Sequence, residues 1–188
     1  MATYTVDLFT TLDGFGTGPV AYWGKEGPEL VERQTKIFFD VEDEALVFGA
    51  NTYRAMERFA AERGDNPNFE SLSARRKIVI SRTLEEPLSW TNSTLIAEDA
   101  LDAVPRLKAE SPVPLRSHGS ISMNRALLAA GLVDRLEVMV FPVITGASGA
   151  NPILADLPDI DLELVESRLL DGRIQQLVYV PTVLGDRS

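Results

Sequence analysis

The sequence predicts an α/β layer architecture built on a largely parallel sheet, with an antiparallel edge contributed by the C-terminal region. Three observations carry this. Strand-like and helix-like patterns alternate along the 188 residues. Short continuous apolar runs, "ALVFG" at 45–49 and "KIVIS" at 77–81, have the length and composition of buried strands. Asp171 and Gly172 separate two alternating runs, which is the signature of a tight hairpin.

Residues 3–12, "TYTVDLFTTL", are rich in β-branched and aromatic types, with Tyr4, Val6, Leu8 and Leu12 on one parity, and form a first strand. Residues 28–40 open with proline, suited to a first helical position, and bring Leu30, Ile37 and Phe38 near one helical face. "ALVFG" ends at Gly49 and feeds "NTYRAMERFAAER", where Tyr53, Met56 and Phe59 keep helical spacing and Asn51 and Thr52 suit a cap. The polar stretch "GDNPNFESLS" reads as a loop before "KIVIS", and "TLIA" at 94–97 as a further strand. Residues 98–110 are helical, with Pro105 expected to start or kink the helix by removing one hydrogen bond. "VPLRS" is a strand that turns into a helix closed by Gly131, a left-handed cap. "RLEVMVF" and the hairpin "LELVESRLLDGRIQQLVYV" complete about eight strands and four helices, in one domain spanning residues 1–188.

With 45% hydrophobic and 24% charged residues, the chain fits one domain burying about 70% of its unfolded surface. Its net charge of −10 and pI near 4.6 repel phosphate at long range, so neither nucleic acid nor membrane is an expected partner. A local group of arginines could still hold one small anion. The absence of cysteine excludes disulfides, thiolate zinc sites and a cysteine nucleophile, and a single histidine, His118, argues against a metal site. The N-terminus has no basic leader, and no apolar run approaches the roughly 18 residues of a membrane span. The expected compartment is the cytoplasm.

"LDGFGTGPVAYWG", residues 12–24, has three alternate glycines after a strand. A dinucleotide-binding turn would run straight into a helix, so that its N–H groups meet the pyrophosphate, but Pro19, Tyr22, Trp23 and Gly24 follow here. Two readings stay open. Asp13 and Gly14 form a tight turn followed by a solvent loop, or the glycines permit motion and Trp23 closes over a planar ligand. Three other strand ends suit anions: Gly49 to Thr52 and His118 to Ser122 are hydroxyl-bearing helix starts, and Ser81, Arg82 and Thr83 offer donors for a terminal phosphate. Each also has a plain reading as a cap or surface loop. All three lie at carboxyl ends of strands, where ligands of parallel sheets gather.

The stretches "TTLDGF", "LVFGANTY", "KIVISRTL" and "HGSISMNRALLAAGLVDRLEVMVFPVITGASG", in this order, resemble the dihydrofolate reductase-like superfamily, in the branch of the RibD C-terminal reductase domain of riboflavin biosynthesis, over residues 3–180. The resemblance implies a three-layer α/β/α fold with a mixed, mostly parallel eight-stranded sheet, a homodimer, and NADPH laid across the strand ends. Asn51 and Thr52, beside Gly49, would meet the pyrophosphate from one helix, and Gly119, Ser120, Ile121 and Ser122 from the other. Ser81 and Arg82, with Thr83, would hold the adenosine 2′-phosphate. A cis peptide is expected at Gly119–Ser120, and the loop with Asp13 and Trp23 becomes a lid over nicotinamide and substrate.

The chain departs from the pattern in places. Ala50 stands where the family carries an arginine, which shifts weight onto Arg82 and leaves NADH a possible cofactor beside NADPH. The acidic helical residue of folate reductases has candidates in Glu29 and Glu32, each equally readable as part of a solvated face. Asp13 is a further carboxylate near the lid. Met139 replaces a polar residue beside the substrate ring, which argues against folate itself. His118 either approaches the cofactor or caps its turn, and no partner carboxylate for it is evident in the sequence. The leading expectation is an NADPH-dependent reductase of a ribosylamino-pyrimidine or pterin-like substrate. The alternative is a dimeric module that binds or sequesters a nucleotide ligand without turnover.

Overall fold

The computed structural model describes residues 1–17, 27–36, 44–62 and 67–185, with the side chains of 67–69 left aside. Along the chain it comprises β1 (Tyr4–Thr11), β2 (Phe15–Thr17), α1 (Pro28–Thr35), β3 (Ala45–Gly49), α2 (Ala50–Glu62), α3 (Pro67–Ala74), β4 (Lys77–Ile80) and β5 (Ser93–Ile96). There follow α4 (Ala100–Glu110), β6 (Leu115–Ser117), α5 (Ile121–Ala129), β7 (Arg135–Phe141), β8 (Ala150–Pro152), β9 (Ile160–Leu170) and β10 (Ile174–Val183).

Eight strands form one sheet in the order β5-β4-β3-β6-β1-β7-β10-β9. The first six are parallel, and β10 and β9 add the antiparallel hairpin. Asp171 and Gly172, with φ of 53° and 64°, make the left-handed bend of a three-residue loop that ends at Arg173. β2 and β8 form a small second sheet. Pairing only three residues each across the chain, they have no signature in the sequence.

Three expectations are corrected. The stretch containing "PNFESLS" is a helix, α3, with Pro67 at its first position and Leu72 fully buried. Pro105 does not start α4, which begins at Ala100 under an Asp99 cap. The carbonyl it leaves without an intrahelical donor belongs to Leu101, an exposed residue. α2 starts at Ala50, so Asn51 and Thr52 occupy its first turn instead of capping it. Ile37 and Phe38 lie outside the described residues.

The two faces of the sheet are covered differently. On one, Tyr4, Val6, Leu8, Val47, Ile78 and Leu136 join residues of α4 and α5 in a single apolar layer. On the other, two apolar clusters form: Leu46, Phe48, Tyr53, Val79 and Trp90 beside α2, and Leu30, Met139, Phe141, Leu170 and Ile174 under α1. Between them, on the central strands, runs a seam of buried charge. Arg116 meets Asp7 at 2.7 Å, Glu44 at 2.8 Å and Glu137 at 3.2 Å, while Glu137 also accepts from Arg33 at 2.8 Å and Gln176 at 2.6 Å. Burial works against the charge of Arg116, and the three carboxylates more than offset that, pushing its pKa up.

Candidate functional site

The starts of α2 and α5 converge at the carboxyl rim of the sheet. Gly49 N–H donates to the Gly119 carbonyl at 3.4 Å. A Cβ on Gly49 would lie 2.6 Å from Ser120 Cβ, and one on Gly119, whose φ is 128°, would lie 2.7 Å from Thr52 Oγ1. The glycines are therefore what lets the two helices touch. The Gly119–Ser120 peptide is cis, as the resemblance implies.

A groove of about 470 Å³ opens between the two starts, lined by Asn51, Thr52, Ser120, Ile121, Ser122 and Arg125 among others. The Ser120 and Ser122 hydroxyls lie 3.0 Å apart. Two helix N-termini, several hydroxyls and one guanidinium make this groove receptive to an anion. Arg125 carries no motif; its only sequence signal is its place three residues after Ser122, on the same helical face. Its guanidinium pairs with Asp156 at 2.6 Å.

Ile121 also walls a second cavity, of about 200 Å³, with Asp7, Leu8, Phe9, Gly16, His118, Gly119 and Ile153. Gly16 is required by space, since a Cβ there would come within 2.8 Å of Ile121 Cδ1. His118 Nδ1 lies 2.9 Å from Asp7 Oδ2, and both side chains are almost fully buried. The sequence shows no partner carboxylate for His118 because Asp7 is more than a hundred positions away; β1 and β6 are neighbours in the sheet and bring the two together. Burial pushes the Asp7 carboxyl up, but His118 and Arg116 together outweigh burial and hold it below the ordinary carboxylate value.

Other singled-out residues lie elsewhere. Ser81 is buried and its hydroxyl accepts from the Thr83 and Leu84 N–H groups, closing its own loop. Arg82 is exposed, 3.6 Å from Asp99, and neither it nor Thr83 lines the two cavities. Asp13 accepts from Thr145 N–H, Thr145 Oγ1 and Gly146 N–H, and so fastens the loop after β7. Glu29 accepts from the Asp171 N–H, while the Asp171 carboxylate caps the start of α1 through the N–H groups of Glu29 and Leu30. α1 turns Leu30 and Arg33 toward the sheet, which leaves Glu32 on the exposed side. Met139 is buried in the cluster under α1. Trp23 lies outside the described residues. Among the described residues there is no metal-competent group of side chains, and no helix is long and apolar enough to cross a membrane.

This sheet order, with two helix starts meeting at its rim, defines a protein of the dihydrofolate reductase-like class. A family model of the RibD C-terminal domain matches residues 2–176, and the chain belongs to that family. No curated protein matches it. Among solved structures it is similar to a protein named for riboflavin biosynthesis from Shewanella sp. PV-4, at 20% identity and a TM-score of 0.74, covering 97% of this chain and 99% of that one. The riboflavin biosynthesis reductase Rib7 of Saccharomyces cerevisiae aligns at 15% identity and a TM-score of 0.60, over 96% and 90% of the two chains. Dihydrofolate reductase from Enterococcus faecalis, solved with NADP(H), aligns at 14% identity and a TM-score of 0.62, over 96% of each.

Proposed function

We propose that the chain is a reductase that uses NADPH to transfer a hydride to a small heterocycle of the ribosylamino-pyrimidine or pterin-like kind. The observation that carries this reading is the convergence of the α2 and α5 starts on one groove that shares Ile121 with a second, partly apolar cavity. A dinucleotide needs this pair of spaces, one for its diphosphate and one for its reactive ring.

The donor set fits the cofactor. Asn51, Thr52, Ser120 and Ser122 would bind the diphosphate together with the two helix dipoles, and Arg125 would supply the cation that Ala50 lacks. Arg82, with its head in solvent, remains the candidate for a 2′-phosphate. Leu8, Ile121 and Ile153 exclude water from the inner cavity. The bound nicotinamide supplies the hydride, and the protein supplies position and a dry wall.

The test is a fluorescence titration with NADPH and NADH, followed by cofactor oxidation with a panel of pyrimidine and pterin substrates. NADPH binding in the micromolar range with turnover of one class supports the proposal, and absence of binding removes it. A second reading, a nucleotide-binding module without turnover, draws on Asp13, Glu29 and Glu32, whose carboxylates all lie away from the inner cavity. Tight binding without oxidation favours it.

The chain also forms a homodimer in this reading. Among the described residues β9, of 11 residues, is the last strand of the sheet, with Leu162, Leu164, Val165 and Leu169 exposed. Next to it an apolar groove of about 510 Å³, lined by Leu136, Val138, Leu162, Leu177 and Tyr179 among others, lies on the sheet face away from the charged seam. A second copy of the same hairpin would pair the edge and cover the groove.

A further inference from the structure

We propose that His118, held by Asp7, is the proton donor of the reduction; this assignment rests on the reductase reading above. Reducing a ring C=N bond adds a hydride to carbon and leaves the π electron pair on nitrogen, which must take a proton. The hydride comes from a reduced nicotinamide. The proton comes from protonated His118, whose Nε2–H bond breaks as the new N–H bond forms, leaving a neutral imidazole that is reprotonated from solvent before the next turnover.

Elimination and geometry both point to this residue. Among the described residues, Asp7 and His118 are the acid–base groups lining the inner cavity. Glu137 lies on β7 and is committed to Arg33, Arg116 and Gln176; Glu44, just ahead of β3, is committed to Arg116. Asp7 Oδ1 accepts from Arg116 Nη1, and His118 Nδ1 lies 2.9 Å from Oδ2, a pairing of charges that keeps Asp7 anionic. An imidazole whose Nδ1–H is fixed on a carboxylate exchanges its proton at Nε2, so the partner decides which nitrogen reacts. His118 directly precedes Gly119, which places the imidazole beside the point where the two helix starts meet. In these roles His118 is the catalytic residue and Asp7 a positioning residue.

The chain has one histidine, so its imidazole gives an unambiguous NMR signal. In the ¹⁵N-labelled protein, the neutral ring is expected as the Nδ1–H tautomer, and saturating NADP⁺ is expected to shift its resonances. With a substrate that is turned over, kcat is expected to fall as pH rises. His118→Gln is expected to lower kcat by about 10²- to 10⁴-fold and flatten that limb, with the NADPH Kd changed less than threefold. Asp7→Asn is expected to lower kcat and abolish the tautomer preference, an effect that a merely structural carboxylate would not produce. Thermal melts confirm that each variant is folded. The assignment is overturned if His118→Gln retains turnover within threefold of the parent, or if the imidazole neither holds the Nδ1–H tautomer nor responds to NADP⁺. NADPH that fails to bind at all removes the reductase reading itself, whereas binding with an indifferent imidazole removes only this assignment.

Discussion

His118 Nδ1 stands 2.9 Å from Asp7 Oδ2 in the wall of the smaller cavity, and the other oxygen of Asp7 is 2.7 Å from Arg116 Nη1. One carboxylate thus joins the rim of the sheet to the buried charge beneath it. Replacing it by Asn leaves Arg116 with two carboxylates instead of three, and the expected loss at pH 7 is about 3 kcal/mol, by analogy with other broken buried pairs. Asp7 titrates below its ordinary value of 3.8 in the fold, so its contribution is complete above that pH and disappears as pH falls through it toward the lower folded value. Urea midpoints of parent and Asp7→Asn protein should therefore differ at pH 7 and converge in acid.

Arg125 and Asp156 offer a separate check on the proposal that the groove between α2 and α5 holds a diphosphate. Asp156 occupies the guanidinium that an incoming phosphate would need. Arg125→Met is expected to weaken NADPH binding about tenfold, or ~1.4 kcal/mol. Asp156→Asn is expected to tighten binding a few-fold in the parent and to do nothing in the Arg125→Met background, a coupling that calorimetric titration of all four proteins reads directly.

Gly49→Ala addresses the contact between the two helix starts. Its Cβ would meet Ser120 Cβ at 2.6 Å, and both groups sit on backbone that cannot yield without parting α2 from α5. The expected outcome is a folded protein destabilised by about 1–3 kcal/mol, with NADPH affinity reduced tenfold or more. Unchanged affinity in a titration would place the diphosphate elsewhere.

Asp13 is a fastening carboxylate, and pH reports on it. The hydrogen bond from the Thr11 hydroxyl, opposed by burial and joined by the N–H groups of Gly146 and Thr145, lowers its pKa from 3.8 to about 2. The stability it adds is present above pH 3.8 and is lost as pH falls toward about 2. Amide exchange at Thr145 and Gly146 should accelerate across that window in the parent and be fast at every pH in Asp13→Asn.

Light scattering tests the edge strand. The parent is expected to run as a dimer, and Leu164→Arg, on the exposed edge, as a folded monomer. A parent that is monomeric at every concentration removes the dimer proposal.

Much of the fold was legible because local pattern and tertiary role agree. "ALVFG" and "KIVIS" are apolar on both parities and lie in the middle of a covered sheet, and Asp171-Gly172 could form only a narrow turn. α3 was not legible, because "PNFESLS" carries little helical periodicity, although Leu72 is buried. The two hydroxyl-bearing helix starts were visible as short motifs, and their convergence depended on strand order, which no local pattern encodes. The Asp7–His118 pair was hidden for the same reason. A signal did exist: Asp7 and Glu137 are carboxylates flanked by apolar residues in their strands, they face each other in register, and Arg116 sits on the adjoining strand. Charges at core positions are rarely idle.

The place of β1 in the sheet has a consequence for how the molecule is made. β1 is paired on one side with residues 115–117 and on the other with residues 135–141, all more than a hundred positions later in the chain. At ~5–20 residues per second, Tyr4, Val6 and Leu8 wait on the order of 10 s for both partners to be synthesised. Throughout that interval the nascent chain displays an apolar strand with two open edges, which makes it a natural client for a ribosome-associated chaperone, and production of this protein should respond to chaperone supply more than to its final stability.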